Sequence, residues 1–302
     1  MSGSKVSIST RQASTLLGVH ESSVKRWCNA ENLECWLTPG GHRRIPIDAL
    51  VDFAHAQGIQ LPLRYFGEDA GRVWSGLERA HQNEYEELAA LIAEWLDHGW
   101  TSDLARLIEY LEHEGFGLAQ VLDRLIGPVM RRIGDRYHRG ALSIGDEHRM
   151  TQIMRDALLS LHSSPTQASN GRVKPVAVVG CARGEGHELG ALMVRLVLEA
   201  EDWRVIYLGL DVPTEEFAAQ QIKHGAALVC VSMMPPKGLA EAQTIMHLLN
   251  RMYNPTHPFR LALGGSALNN DANLDRSGVS IPDVQLFTKM EPFTTWVGSL
   301  AA

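Results

Sequence analysis

Four apolar residues, Val176–Val179, give way to a glycine-rich stretch, and a helix-spaced pattern then begins at Leu189. No other stretch narrows the possible folds as much. A short β-branched run is the composition of a strand buried on both faces. Leu189, Leu192, Met193, Leu196 and Val197 recur as on one face of a helix. The alternation continues through Val205–Leu208, a helix over 214–224, Leu228–Ser232, a helix over 238–252, Leu261–Leu263 and a weaker unit after Gly278. Strands alternating with helices predict a doubly wound parallel sheet. Gly180 to Gly186 reads as the turn after its first strand, and His187 follows at the sheet end where such folds take ligands. The small residues around His187 allow a bulky group to approach the backbone.

Two ligand classes compete for this loop. Gly184-x-Gly186-x-x-x-Gly190 is near a dinucleotide loop, but its last glycine is one position late. The following acid, Asp211, lies twenty-five residues after Gly186, and a dinucleotide site leaves His187 without a role. The string Glu185-Gly186-His187-Glu188-Leu189-Gly190 instead resembles the acidic-x-His-x-x-Gly signature of cobalamin-binding domains. Forty-one residues separate Gly190 from Ser232-Met233-Met234, and twenty-nine more lead to Gly264-Gly265, the spacing that family uses. The resemblance implies a Rossmann-like domain over 172–302, with His187 as the lower cobalt ligand in place of the cofactor's own base. Imidazole nitrogen suits cobalt, and Glu185 would fix its tautomer. Gly190, Ser232, Gly264 and Gly265 would leave a slot for the displaced base. Leu208-Gly209-x-Asp211-Val212-Pro213 resembles a turn common in the same family, and Met233-Met234-Pro235-Pro236 reads as slot lining.

At the other end of the chain, Thr10–Leu17, Gly18-Val19-His20 and a helix starting at Ser22 have the rhythm of a helix-turn-helix. A Pro39-Gly40-Gly41 turn then makes a hairpin tipped by His42, Arg43 and Arg44, and Asp48–Ala56 closes the module. This stretch resembles the winged helix-turn-helix of the MerR family, whose wing Thr38-Pro39-Gly40-Gly41-His42-Arg43-Arg44 matches almost letter for letter. The resemblance implies a DNA-binding domain over 1–68. Ser23, Lys25 and Arg26 would face the major groove of double-stranded operator DNA, and His42, Arg43 and Arg44 would grip phosphates. Residues 1–60 hold six Lys/Arg against five acids, a net of +1, but four of the six cations sit on the proposed recognition helix and wing. Gln60–Gly71, with Pro62, Gly67 and Gly71, reads as a linker that lets this module move.

Between the two ends the pattern is helical. Apolar stripes run over Leu88–Leu96, Leu104–Leu111 and Leu118–Ile133, and Ser143-x-x-Asp146 reads as the cap of a last helix ending near Leu161. Such a four-helix bundle, over 72–163, resembles the cap that covers the upper corrin face in methionine synthase and corrinoid proteins. A flexible linker, 162–175, follows it.

Gly134-Asp135-Arg136-Tyr137-His138-Arg139-Gly140 with Glu147-His148 is similar to cobalamin-dependent photoreceptor repressors of the CarH type. That resemblance implies upper-face roles for Tyr137, Glu147 and His148, with His138 close enough to bind cobalt once an adenosyl group has left. Tyr137 stands where the family has tryptophan, offering less aromatic area and a hydroxyl that needs a partner.

The fold expected is therefore multidomain α and α/β: a winged helix-turn-helix, a four-helix bundle cap and a Rossmann-like doubly wound parallel sheet. The function implied is a light-responsive repressor, not an enzyme, with adenosylcobalamin as chromophore and methylcobalamin as the other form considered. It would be a homo-oligomer, a tetramer in the dark. A light-independent cobalamin sensor and a corrinoid methyl carrier are the alternatives. Among 302 residues no apolar run approaches eighteen, so no membrane partner is expected. The opening MSGSKVSIST lacks the apolar core of a signal peptide. Four unpaired-looking cysteines read as reduced thiols, and the expectation is a cytoplasmic protein. The formal net charge of −7 argues against a generally nucleic-acid-binding surface, so any such contact must be local.

Overall fold

The computed structural model describes residues 6–161, 173–268 and 273–300. It separates into two compact units. One comprises Met1–Phe116 and Arg124–Ala157, the other Gly117–Asp123 and Leu158–Ala302.

The first unit opens with β1 (Ser7–Ser9), α1 (Thr10–Leu17), α2 (Glu21–Asn29), β2 (Trp36–Leu37), β3 (Arg43–Pro46) and α3 (Ile47–Ala56). Ser9 starts α1 through a capping box: its Oγ accepts the Gln12 amide at 3.2 Å and Gln12 Oε1 accepts the Ser9 amide at 3.0 Å. Such a cap contributes about 1 kcal/mol. Gly18, at φ 65°, ends the helix in the left-handed region, so the chain can turn into α2. The strands form an antiparallel sheet in the order β1-β3-β2. Ile8, Ala13, Val24, Ile45 and Leu50, all fully buried, make its core. This is a winged helix-turn-helix.

The expected linker after it is structured. Pro62–Asp69 forms a 3-10 helix leading into α4 (Ala70–Ala80). Leu61, Leu63, Phe66 and Ala70 are buried, Phe66 stacks on Trp95 at 6.0 Å, and Trp95 Nε1 donates to Asp69 Oδ2 at 2.8 Å. Pro62 and Gly67 looked like the composition of a free connection, but the apolar residues between them pack into the unit. The segment is not a linker.

Next come α5 (Glu86–His98), α6 (Thr101–His113), α7 (Leu118–Val121), α8 (Gly127–His138) and α9 (Ile144–Leu161). The four expected helical stretches are present, preceded by α4. The third is interrupted by a π turn over Leu122–Ile126. Pro128 explains it: proline has no amide to donate and its ring crowds the carbonyl four residues back, so the helix widens there. Ser143 caps α9, its Oγ accepting the Asp146 amide at 3.1 Å. The proposed linker over 162–175 lies largely, at 162–172, outside the described residues.

The second unit is built from β4 (Val176–Ala182), α10 (Leu189–Ala200), β5 (Arg204–Val212), α11 (Thr214–His224), β6 (Leu228–Ser232), α12 (Leu239–Arg251), β7 (Arg260–Gly264), β8 (Val284–Phe287) and α13 (Met290–Leu300). It also takes in α7, which packs against α13. The five strands are parallel in the order β5-β4-β6-β7-β8, the doubly wound pattern. Helix α11 packs beside α12, and α10 beside α13. Val178, Phe217, Val229, Ile245, Met246 and Leu261 belong to the core that joins the sheet to α11 and α12.

Two readings at the strand ends need correction. Gly180 is inside β4, not in the turn, and a Cβ there would meet Leu208 and the Phe217 ring at 3.2 Å. The glycine is a packing requirement of the sheet. The segment after Leu208 is also strand: β5 runs to Val212 in a bulged form, with Gly209 at φ 78° and Asp211 at φ 52°.

Candidate functional site

Parallel pairing places the ends of β4, β6 and β7 level, with Cys181 opposite Ser232 and Ser232 opposite Gly264. The loop between β4 and α10 rises from this row. Its centre is Glu185, whose side chain is 3% exposed, while that of His187 is 66% exposed. Glu185 Oε1 lies 2.6 Å from His187 Nδ1 and also accepts the His187 amide at 3.0 Å. Its Oε2 accepts the Met234 amide at 2.8 Å. Burial pushes the carboxyl upward, but the His187 side chain and the Met234 and His187 amides outweigh it and hold Glu185 below the usual carboxylate range. An ionised carboxylate at Nδ1 fixes which nitrogen carries the proton. Nε2 has no hydrogen-bond partner among the described residues and is the nitrogen left to bind a metal.

Two residues that sequence reasoning gave no part in the site complete the loop. Asp211 Oδ1 accepts the Gly184 amide at 2.6 Å. Lys237 Nζ donates to the Gly184 carbonyl at 3.0 Å and stands 3.7 Å from Glu185 Oε2. Asp211 was visible as part of a turn motif and as the late acid of the dinucleotide alternative. Lys237, fifty-three positions from Gly184, carried no local signal.

Behind the loop an apolar slot opens between the sheet and α10 and α13. Gly190, Ser232, Gly264 and Gly265 all line it, with Phe287 and Phe293 among its other walls. The glycines are needed sterically. A Cβ on Gly190 would lie 2.8 Å from Ser232 Oγ, and one on Gly264 would lie 2.7 Å from the Phe287 carbonyl oxygen. Gly265, at φ 116°, has its Cβ position blocked by the Met233 carbonyl.

Residues singled out in the helical stretch flank the turn between α8 and α9. Tyr137 and His138 end α8 with ring centroids 5.5 Å apart, and Tyr137 is 36% exposed. Glu147 and His148 occupy the first turn of α9, where Glu147 Oε1 accepts the Thr151 hydroxyl at 3.0 Å. His148 Nε2 is 3.7 Å from Glu147 Oε2.

In the winged module, Lys25 and Arg26 are exposed on α2, and Ser23 is half-buried. Lys25 pairs with Glu21 at 2.9 Å. The wing is closed by the Thr38 amide on the His42 carbonyl at 2.8 Å, leaving His42 exposed at the tip. Arg43 reaches back to Asn29 Oδ1 at 2.6 Å, tying the wing to the end of α2. Arg44 is half-buried beside it.

Comparison with known proteins matches three stretches of the chain to domain models. Residues 8–58 match the helix-turn-helix domain model, and residues 175–280 match the B12 binding domain model. Residues 84–161 match a second B12 binding domain model. In class, then, the chain is a helix-turn-helix protein carrying B12-binding domains.

It is similar to the HTH-type transcriptional repressor CarH of Myxococcus xanthus, 31% identical over 150 residues, which are 49% of this chain and 47% of CarH. The HTH-type transcriptional repressor CarA of the same organism is 25% identical over 143 residues, covering 47% of this chain and 46% of CarA. The chain thus spans about half the length of these curated relatives. Among solved structures, the monomethylamine corrinoid protein of Methanosarcina barkeri superposes with a TM-score of 0.52 at 14% identity, over 69% of this chain and 96% of that one. That likeness concerns fold alone. Among the described residues no helix is long and apolar enough to cross a membrane.

Proposed function

We propose that the chain is a non-enzymatic transcriptional regulator that holds a corrinoid through His187 and uses its winged module on operator DNA. One observation carries this reading: a single chain holds a winged helix-turn-helix and, in its α/β unit, an exposed imidazole with one nitrogen fixed by a buried carboxylate above a glycine-walled slot. The donor set and the cradle both fit a cobalamin. Adenosylcobalamin, the proposed form, would supply a cobalt–carbon bond sensitive to visible light.

The chain's own residues have separable tasks in this proposal. His187 Nε2 would hold the cobalt, and Glu185 keeps Nδ1 protonated and the ring oriented. Gly190, Ser232, Gly264 and Gly265 admit the displaced base. By the family resemblance, Tyr137, Glu147 and His148 would contact the adenosyl side of the corrinoid, and His138 would be a candidate cobalt ligand after that group has left. Ser23, Lys25 and Arg26 read or approach the major groove, while His42, Arg43 and Arg44 contact phosphates. One such module neutralises few phosphates, so its binding is weak and salt-sensitive alone. Operator affinity then depends on several copies acting together, a tetramer in the dark being the proposed assembly, and on its dissociation in the light.

The test is operator binding by adenosylcobalamin-loaded protein before and after green illumination, with H187A as control. Loss of affinity on illumination is expected in the parent protein alone, and unchanged affinity would remove light from the proposal. Replacing both Arg43 and Arg44 with alanine should abolish operator binding and leave corrinoid uptake intact. A corrinoid methyl carrier would have no use for those two arginines.

Tyr137 favours a second reading, a light-independent cobalamin sensor, because its ring offers less area than the tryptophan it replaces. An absorption spectrum that does not change on illumination would select that reading.

A further inference from the structure

The slot's outer wall is held by a residue that is distant in sequence. Asp123 lies in the π turn, and its carboxylate accepts two successive amides at the start of α13: Met290 to Oδ1 and Glu291 to Oδ2, both at 2.8 Å. Met290 and Phe293, in the first turn of α13, line the slot together with Thr288 and Lys289 just before it. Helix starts are ordinarily capped by a neighbouring Ser, Thr, Asp or Asn. Here Lys289 occupies the position before the helix, and the acceptor comes from 167 positions away. Burial raises the Asp123 carboxyl despite the two amides and nearby Lys289, which draw it down, while the Glu291 carboxylate adds to the rise. The group is therefore kept in a costly place.

We propose that Asp123 is a positioning residue for the slot: by gripping the first amides of α13 it sets the wall against which the nucleotide tail of a corrinoid packs. The inference rests on the cobalamin reading above. Asp123 touches no corrinoid itself; it acts through Met290 and Phe293. Further along, α13 has its own anchor, Trp296 Nε1 donating to Asp283 Oδ2 at 3.0 Å. Loss of Asp123 therefore frees the first turn of α13 without releasing the helix.

Two corrinoids test this in the full chain: aquocobalamin, which carries the nucleotide tail, and aquocobinamide, which lacks it. Binding is measured by spectral titration for parent, D123A and D123N proteins, with thermal melting as a check on folding. D123A is expected to bind aquocobalamin about tenfold more weakly, the effect of losing a charge-assisted hydrogen bond, and to bind aquocobinamide as the parent does. D123N keeps one acceptor oxygen and should fall between. Equal weakening for both corrinoids would reduce Asp123 to a general structural role, and no weakening for either would overturn the proposal outright. Should D123A not fold, D123N alone decides, by the same comparison. A parent protein that binds neither corrinoid would instead sink the cobalamin reading, a separate result.

Discussion

Glu185 Oε1 and His187 Nδ1 stand 2.6 Å apart, and the same carboxylate group gathers the amides of His187 and Met234. A two-residue spacing in sequence thus yields one buried anion that sets the ring's tautomer, its direction and the backbone on the far side of the site. E185A should leave His187 exposed but unoriented, weakening cobalamin binding by about 10- to 100-fold. H187A should remove the protein imidazole from cobalt, so any bound cobalamin shows the spectrum of the free cofactor instead. Parent-like titration of E185A would show that the carboxylate does not orient the ligand.

Gly190 and Ser232 share one space. G190A places a methyl group 2.8 Å from Ser232 Oγ, at the entrance to the slot, and should depress corrinoid uptake. Removing the hydroxyl relieves the clash, so G190A/S232A should recover part of the loss, with a coupling of about 1 kcal/mol between the two changes. Additive losses in a double-mutant cycle would contradict this.

A second close approach lies in the helical part of the first unit. A Cβ on Gly76 of α4 would sit 2.6 Å from the fully buried Leu88 side chain of α5. Despite alanine's better helix propensity, G76A should lower stability by about 1–2 kcal/mol through overpacking. G76A/L88A should regain some of it by urea unfolding relative to L88A alone, where the same glycine replacement becomes favourable.

The thiols provide a pH readout. Burial pushes Cys28 and Cys181 up to about 12, and raises the fully enclosed Cys230 as well. A thiol reacts as its thiolate, so near pH 8 these three stay protonated and unreactive in the folded protein. Cys35, half-buried before β2, should be the first to react with a disulfide reagent. Counting released chromophore before and after denaturation checks this, and rapid modification of Cys181 in folded protein would contradict it.

Much of the α/β unit was legible because β4 and β6 are short apolar runs rich in valine and the helices between strands each have one apolar face. The boundaries of α11 and β6 follow directly from those patterns. Gly180 and the end of β5 were misread because glycine signals a turn in isolation, whereas Gly180 makes room for Phe217 and Gly209 takes the positive φ of a bulge. Gln60–Gly71 was misread for a related reason: Pro62 and Gly67 outweighed the buried Leu63 and Phe66, and the ring partners of Phe66, Trp95 and Tyr110, lie far along the chain. Within the site, the local motif pointed to Glu185, His187 and Gly190. Lys237 and Asp123 act across fifty-three and more than one hundred and sixty positions, and no spacing rule could have found them.

The level ends of β4, β6 and β7 have a consequence for how this site can vary. Cys181, Ser232 and Gly264 are aligned by main-chain ladders, so the floor of the cradle is inherited from the sheet, while its walls are set by residues of α10 and α13 such as Gly190 and Phe293. Relatives could drift far in their outer surfaces and still hold the same large ligand. A single-residue insertion in β6, by contrast, would throw the whole row out of alignment.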